Sequence, residues 1–329
     1  MHSIGLDISK STIAVYIPNG HLSLEIENTL KGIKGLYAKL KKLYKKELDD
    51  LVFVFEPTGS YSALLTKFCH EQKIKAFIIN PKQSKNYAKA LGRRNKTDRI
   101  DAEVLSKAIS IAEEKEIAVP HIDEGVEEIK ELMSYYRFVV KQRVKSGNHL
   151  EALESKDGST YAIRELRKSI AASKRQEQEI LARIFQLIAS NEELAQGFEN
   201  IRSITGVGEI AAIVLLHLFL RYPDANQRQI VSLTGLEPVE KASGSSVKGR
   251  PKISKAGSKL YRGSLFMSAM VSIRYNEQMK QFFDRLKANG KHTTAAQVAV
   301  MRKLVVIAHS LYKNNEKYNA EKYHLVRGA

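Results

Sequence analysis

Residues 3–17 read SIGLDISKSTIAVYI, and the acid at position 7 decides how the chain is to be folded. Ile4, Leu6 and Ile8 recur at every second position around Asp7, the spacing of a β-strand with one apolar face. A carboxylate inside such a strand is costly to bury unless a partner or a cation neutralises it. SKS at 9–11 suits a turn, and 12–17 make a second strand. HLSLEIEN at 21–28 then alternates as a half-buried third strand.

Outward from these strands the pattern changes. GIKGLYAKLKKLYKK (32–46) sets Ile33, Leu36, Leu40 and Leu43 on one helical face, with lysines opposite. A buried strand follows at 51–56, closed by Glu56, then a helix from Ser60 to about Gln72 and a second buried strand, IKAFIIN. Helical spacing returns at Asp98, with Ile100, Val104, Ala108 and Ile111 on one side. Three antiparallel strands followed by helix–strand alternation predict a mixed sheet covered by helices, the order of a ribonuclease-H-like fold. In that fold the first strand lies beside the fourth, which brings Asp7 next to Glu56. The helix starting near Thr97 then crosses the same sheet end, and Asp98 and Asp101 share one of its faces.

The totals narrow the class. Over 329 residues, 43% hydrophobic, the chain has material for real cores in two or three domains. Its 53 Lys+Arg against 36 Asp+Glu, net +17, call for a polyanionic partner, either nucleic acid or an anionic membrane surface. The longest apolar stretch, residues 210–220, is too short to span a bilayer and carries His217. The N-terminus runs straight into a strand without a leader pattern. Cys69 stands alone, which excludes a disulfide framework and a cysteine metal cage and leaves it as buried filler. The expectation is a soluble, cytoplasmic, nucleic-acid-binding protein without a membrane partner.

Three segments are expected: 1–125, the mixed-sheet domain; 126–195, an antiparallel helical hairpin; and 196–329, a mainly helical domain. Apolar residues recur from Ile129 to Leu150 and again from Ile163 to Leu187, around a turn signal at SKDGS (155–159). Such a hairpin serves either as an oligomerisation coiled coil or as a spacer between domains. Gly206 and Gly208 in ITGVGEIAA precede a helix, as in a helix-hairpin-helix element that offers amides to a phosphate. The same spacing is also that of a plain helix cap.

Three constellations carry candidate chemistry. Asp7, Glu56, Asp98 and Asp101 provide the hard oxygen ligands that two divalent ions need for phosphodiester work, Mg²⁺ or Mn²⁺. Lys82, Lys85, Lys89, Arg93, Arg94, Lys96 and Arg99 surround the acidic pair as a nucleic-acid contact surface or as a solvated face. KASGSSVKGRPKISKAGSK (241–259) gathers Lys248, Arg250, Lys252 and Lys255 with Ser243, Ser245 and Ser246. By composition it is a loop that orders on phosphate or a linker. No Ser/His/Asp spacing in it marks a nucleophile.

GLDISK, FEPTGSY, the NKTDRIDA block, ITGVGEIAA, GLEP and SG…ISKAG…R, in this order, resemble the DEDD-type insertion-sequence transposases of the insertion-sequence-110 group and related site-specific invertases. The resemblance covers nearly the whole chain. It implies a RuvC-like catalytic domain with its acidic tetrad on Asp7, Glu56, Asp98 and Asp101. It also implies a coiled-coil hairpin, and a C-terminal transposase domain with a serine that links covalently to DNA. The SG motif matches Ser243–Gly244, with Ser245 and Ser246 as alternatives. Expected partners are donor and target DNA, a structured guide RNA, and further copies of the chain, a dimer that becomes a tetramer on synapsis. Two rivals remain: a RuvC-like junction resolvase in which water attacks, and a non-catalytic basic nucleic-acid-binding protein.

Overall fold

The computed structural model describes residues 1–92, 97–239, 242–243, 247–248 and 252–323, which divide into two compact units, Met1–Asp123 and Glu124–Ala329.

The first unit is a sheet ordered β3-β2-β1-β4-β5-β6. Its strands are β1 (His2–Ile8), β2 (Thr12–Ile17), β3 (Leu22–Glu27), β4 (Leu51–Phe55), β5 (Lys75–Ile78) and β6 (Ile117–Ala118). β1, β4 and β5 run parallel, while β2 and β6 are antiparallel to their neighbours. The first strand therefore lies beside the fourth, as expected. Alternation sorts the side chains between two faces. Ile4, Leu6, Phe53 and Phe55 pack with Ile33, Leu36 and Leu40 of α1 (Leu30–Tyr44) and with Leu65 and Phe68 of α2 (Ala63–Glu71). On the other face Val52, Val54, Phe77 and Ile79 meet Leu105 of α4 (Asp98–Lys107) and Ala108 just after it. β4 is buried from end to end because both of its faces are covered.

One helix here has no apolar pattern to announce it. α3 (Pro81–Ala90) buries only Ser84, and it starts because Asn80 accepts from Lys82 N at 2.9 Å and Pro81 takes the first turn.

The second unit opens with α5 (Glu124–Glu154) and α6 (Thr160–Ala189), joined at residues 155–159. Arg183–Glu128, Arg143–Glu177 and Arg167–Glu154 pair along their length, so the two helices are antiparallel. Among the described residues, other helices cap only the base of this hairpin. Ile129, Met133, Ile180, Ile184 and Ile188 join one core with α7 (Glu192–Arg202), α8 (Glu209–Arg221), α9 (Gln227–Thr234), α10 (Lys259–Tyr275), α11 (Glu277–Ala288) and α12 (Thr293–Asn314). Among the described residues no helix is long and apolar enough to cross a membrane.

The Ser/Gly/Lys segment is a ribbon, neither bare loop nor linker where its backbone is described. β7 (Pro238–Val239) pairs with β10 (Lys252–Ile253), and β8 (Ala242–Ser243) pairs with β9 (Val247–Lys248).

Candidate active site

The register of the sheet assembles the site. Leu6 of β1 is paired with Phe55 of β4, so Asp7, still in β1, is level with Glu56, the residue that follows the parallel strand β4. Ser3, Gly5 and Asp7 share the face opposite Ile4 and Leu6. That face lies under α4, and glycine at position 5 is what lets the helix settle there. A Cβ on Gly5 would come within 1.9 Å of the Ala102 carbonyl oxygen and 2.6 Å of Ser106 N. Ser106 Oγ donates to the Ser3 carbonyl at 2.8 Å. Ser106 is thus level with Ser3 and Ala102 with Gly5, and α4 runs opposite to β1. One further turn toward its start brings Asp98 and Asp101 to the level of Asp7.

Thr97 caps this helix, its Oγ1 accepting from Ile100 N at 3.3 Å. Acids in the first turn also stabilise a helix start by themselves, so Asp98 and Asp101 have a structural use besides any chemical one. Asp7, Glu56 and Asp101 are half-buried, and Asp98 is exposed.

Asn28 is a residue that sequence reasoning passed over. Its Nδ2 donates to the Ser9 carbonyl at 2.9 Å and to the Tyr61 carbonyl at 3.0 Å. It thereby ties the turn after Asp7 to the loop after Glu56. The only sequence signal was its place at the end of the third strand. Asn28 Oδ1 and Thr58 Oγ1, both beside this edge, are buried without a hydrogen-bond partner among the described residues.

An all-carboxylate donor set at a polar sheet edge fits a hard divalent ion. Among the described residues, no three His, Cys, Asp or Glu side chains stand close enough to share one ion.

The basic residues divide. Lys82, Lys85 and Lys89 are exposed on α3, which packs beside α4, with Tyr87 Oη donating to the Lys107 carbonyl at 3.0 Å. Arg99 is exposed in the first turn of α4. Arg93, Arg94 and Lys96 lie outside the described residues.

Ser243 belongs to the second unit, its backbone pairing with Val247. Lys248 is described by backbone alone; Lys241, Gly244, Ser245, Ser246 and Arg250 lie outside the described residues. Lys252 and Lys255 are exposed at the foot of the ribbon. That foot is built by close approach. A Cβ on Gly257 would meet the Leu233 carbonyl oxygen at 1.9 Å, and Gly235 has φ +69°. Arg262 donates to the Thr234 and Gly257 carbonyls at 3.0 and 2.7 Å, so it braces the protein's own backbone.

Gly206 also has a structural cause. At φ +99°, with Ser272 of α10 so near that a Cβ would lie 2.1 Å from its Oγ, only glycine fits. Gly208 differs, since the space beside it is open and it caps α8 without a side-chain hydrogen bond.

Two models of protein families match the chain. A DEDD, IS110-type transposase model covers residues 4–153, and that of the transposase IS116/IS110/IS902 family covers residues 198–284. The chain is similar to the pilin gene-inverting protein of Moraxella bovis, 28% identical over 325 residues, covering 96% of this chain and 97% of the relative. The protein of that name from Moraxella lacunata is 28% identical with the same coverage. A shorter similarity, 26% over 121 residues, links it to the insertion element IS110 uncharacterized 43.6 kDa protein of Streptomyces coelicolor, covering 36% of this chain and 29% of the relative. The chain belongs to the IS116/IS110/IS902 family of transposases, enzymes that act on DNA.

Proposed function

We propose that the chain is a recombinase that cuts and rejoins DNA strands at an acidic edge formed by Asp7, Glu56, Asp98 and Asp101, with Ser243 as nucleophile. One observation carries the acidic half. The β1–β4 register and the opposed run of α4 bring four acids from separate parts of the sequence to one end of the sheet. The pilin gene-inverting relatives, matched over nearly their whole length, supply the reaction class, since inversion by name exchanges DNA ends.

The four carboxylates would hold divalent ions, Mg²⁺ or Mn²⁺, whose chemistry is to neutralise charge on the scissile phosphate. Lys82, Lys85 and Arg99 neutralise neighbouring phosphates and hold the strand in register. Attack by the Ser243 hydroxyl on phosphorus forms a serine–phosphate ester. The serine proton passes to a base, and the displaced strand end leaves as a free hydroxyl. Attack by a second free hydroxyl on that ester reforms a phosphodiester and returns the serine. A structured guide RNA choosing the sites is part of the proposal, as is a dimer that doubles on synapsis. The net charge of +17 supports binding of polyanions without distinguishing RNA from DNA.

The experiment is to incubate the protein with Mg²⁺ and a candidate DNA, denature it, and look for DNA attached to protein. Wild type gives the adduct. Asp98→Ala is expected to abolish cutting with duplex affinity preserved, and Ser243→Ala to abolish the adduct. Full-rate cutting by Ser243→Ala would sink the serine mechanism. Loss of binding in Asp98→Ala would make the acid structural. Sequencing of copurifying nucleic acid tests the guide, with one defined RNA species expected rather than mixed host RNA.

A further inference from the structure

The hairpin α5–α6 is divided by charge. In residues 137–175, its outer half, ten Lys and Arg stand against four Asp and Glu. In the inner half, residues 124–136 and 176–189, two Lys and Arg stand against six Asp and Glu. Three of the six inner acids are met by the protein's own cations. Glu127 pairs with Lys130 and Arg221, Glu128 with Arg183, and Glu177 with Arg143. Of the ten outer cations, Arg143, Arg164, Arg167 and Lys168 are paired. Lys141, Lys145, Lys174 and Arg175 are exposed and enter no ion pair among the described residues.

Geometry groups them. Lys141 and Lys145 are one turn apart on α5, and the Arg143–Glu177 pair brings the Lys174–Arg175 stretch of α6 to the same level. Phe138, 56% exposed, lies one turn before Lys141, and Tyr161, 67% exposed, stands near the far end with Arg164 over its ring. A second copy laid tip to tip would set these like charges together, which costs energy. Laid tip to base it would meet a face where Glu127, Glu128 and Glu177 are already neutralised. A phosphate backbone meets the cations with no such cost.

We propose that the outer half of the hairpin is a DNA-backbone arm, gripping duplex apart from the catalytic edge. This rests on the DNA-joining function proposed above. The stretch from 137 to 154 is about 27 Å long at helical rise, the axial length of roughly eight base pairs.

The test uses the full-length chain carrying Lys141→Gln, Lys145→Gln, Lys174→Gln and Arg175→Gln together. A control carries the same charge loss on α1, at Lys31, Lys34, Lys39 and Lys42. Affinity for linear duplex is followed by fluorescence anisotropy between about 50 and 200 mM salt, with circular dichroism to confirm folding and sedimentation to read oligomeric state. The hairpin variant is expected to lose at least about tenfold in affinity near 100 mM salt, and its slope of log affinity against log salt to flatten by about two to four. The control should change either quantity far less. An unchanged slope, or equal loss in both variants, overturns the arm. So does a loss of affinity accompanied by a smaller oligomer, which would make this half a self-association surface. A wild-type chain that binds no duplex removes the DNA-joining function itself, and the arm with it.

Discussion

Gly5 shows how much of the candidate site depends on one missing methyl group. With 1.9 Å between its ideal Cβ and the Ala102 carbonyl oxygen, the obstacle is backbone and cannot rotate away. Gly5→Ala must lift α4 from β1, and with it Asp98 and Asp101 from the level of Asp7. The expected cost is about 1–3 kcal/mol of unit stability, from overpacking of a close contact. Strand cutting should fall much further than stability. Urea midpoints and cleavage rates on the same variant check this, and a normal cleavage rate would show that the level of α4 is immaterial. Asp7 and Glu56 were legible as neighbours because the two-residue period of β1 and the unbroken apolar run of β4 fix both strands. Asn28 was not legible, since its value lies in two carbonyls that only the folded turn and loop bring within reach.

At the scale of elements, the ribbon carrying Ser243 is held from outside itself. Among the described residues its paired segments are two residues each, and its foot is tied to backbone beyond them. Ser254 N donates to the Glu237 carbonyl at 3.0 Å and Lys255 N to the Gly235 carbonyl at 3.1 Å, and Arg262 closes the foot. Arg262→Lys is expected to act like Arg262→Ala, because both bonds leave Nη1, which lies one bond farther along the side chain than a lysine Nζ. Each should cost about 2 kcal/mol and speed protease cutting of the 238–253 segment. Limited proteolysis with mass mapping reads that directly, and protection equal to wild type would assign the brace elsewhere. No sequence pattern announced this ribbon. Lys, Ser and Gly alternate in no period, and the anchors Gly235, Gly257 and Arg262 reveal themselves only by what they touch. α3 was similarly hidden, since a helix burying only Ser84 has no apolar face to read, although Asn80–Pro81 was a usable start signal.

Over the whole molecule, the second unit carries a pH dependence that its composition does not advertise. His217 lies deep in α8 with its Nδ1 3.2 Å from Tyr261 Oη, and its Nε2 has no partner among the described residues. Burial, aided by Arg221, holds its pKa down to about 4. Above the unfolded value of about 6.5 both states are neutral there. As pH falls from 6.5 toward 4 only the unfolded chain takes the proton, so stability is lost across that window, by up to about 3 kcal/mol. Denaturation midpoints at pH 7.5 and 5 should converge in His217→Leu relative to wild type. Equal pH slopes in the two proteins would place the dependence on other groups. The helices of this unit could be read one by one, but their assembly could not. The base of the hairpin finds its cover in α8, far along the chain, and nothing local to Ile129 or Ile184 says so.

That anchoring makes residue count a matter of aim as well as reach. Each residue added to both α5 and α6 beyond their fixed base extends the pair by about 1.5 Å and turns everything past the insertion by about 100°. Two residues per helix would swing Lys141 and Arg175 to the far side while hardly changing length. Seven would lengthen the rod by about 10 Å and restore the bearing to within about 20°. Relatives whose hairpins differ by whole heptads keep the heading of the original, whereas other increments point the outer half at a different neighbour.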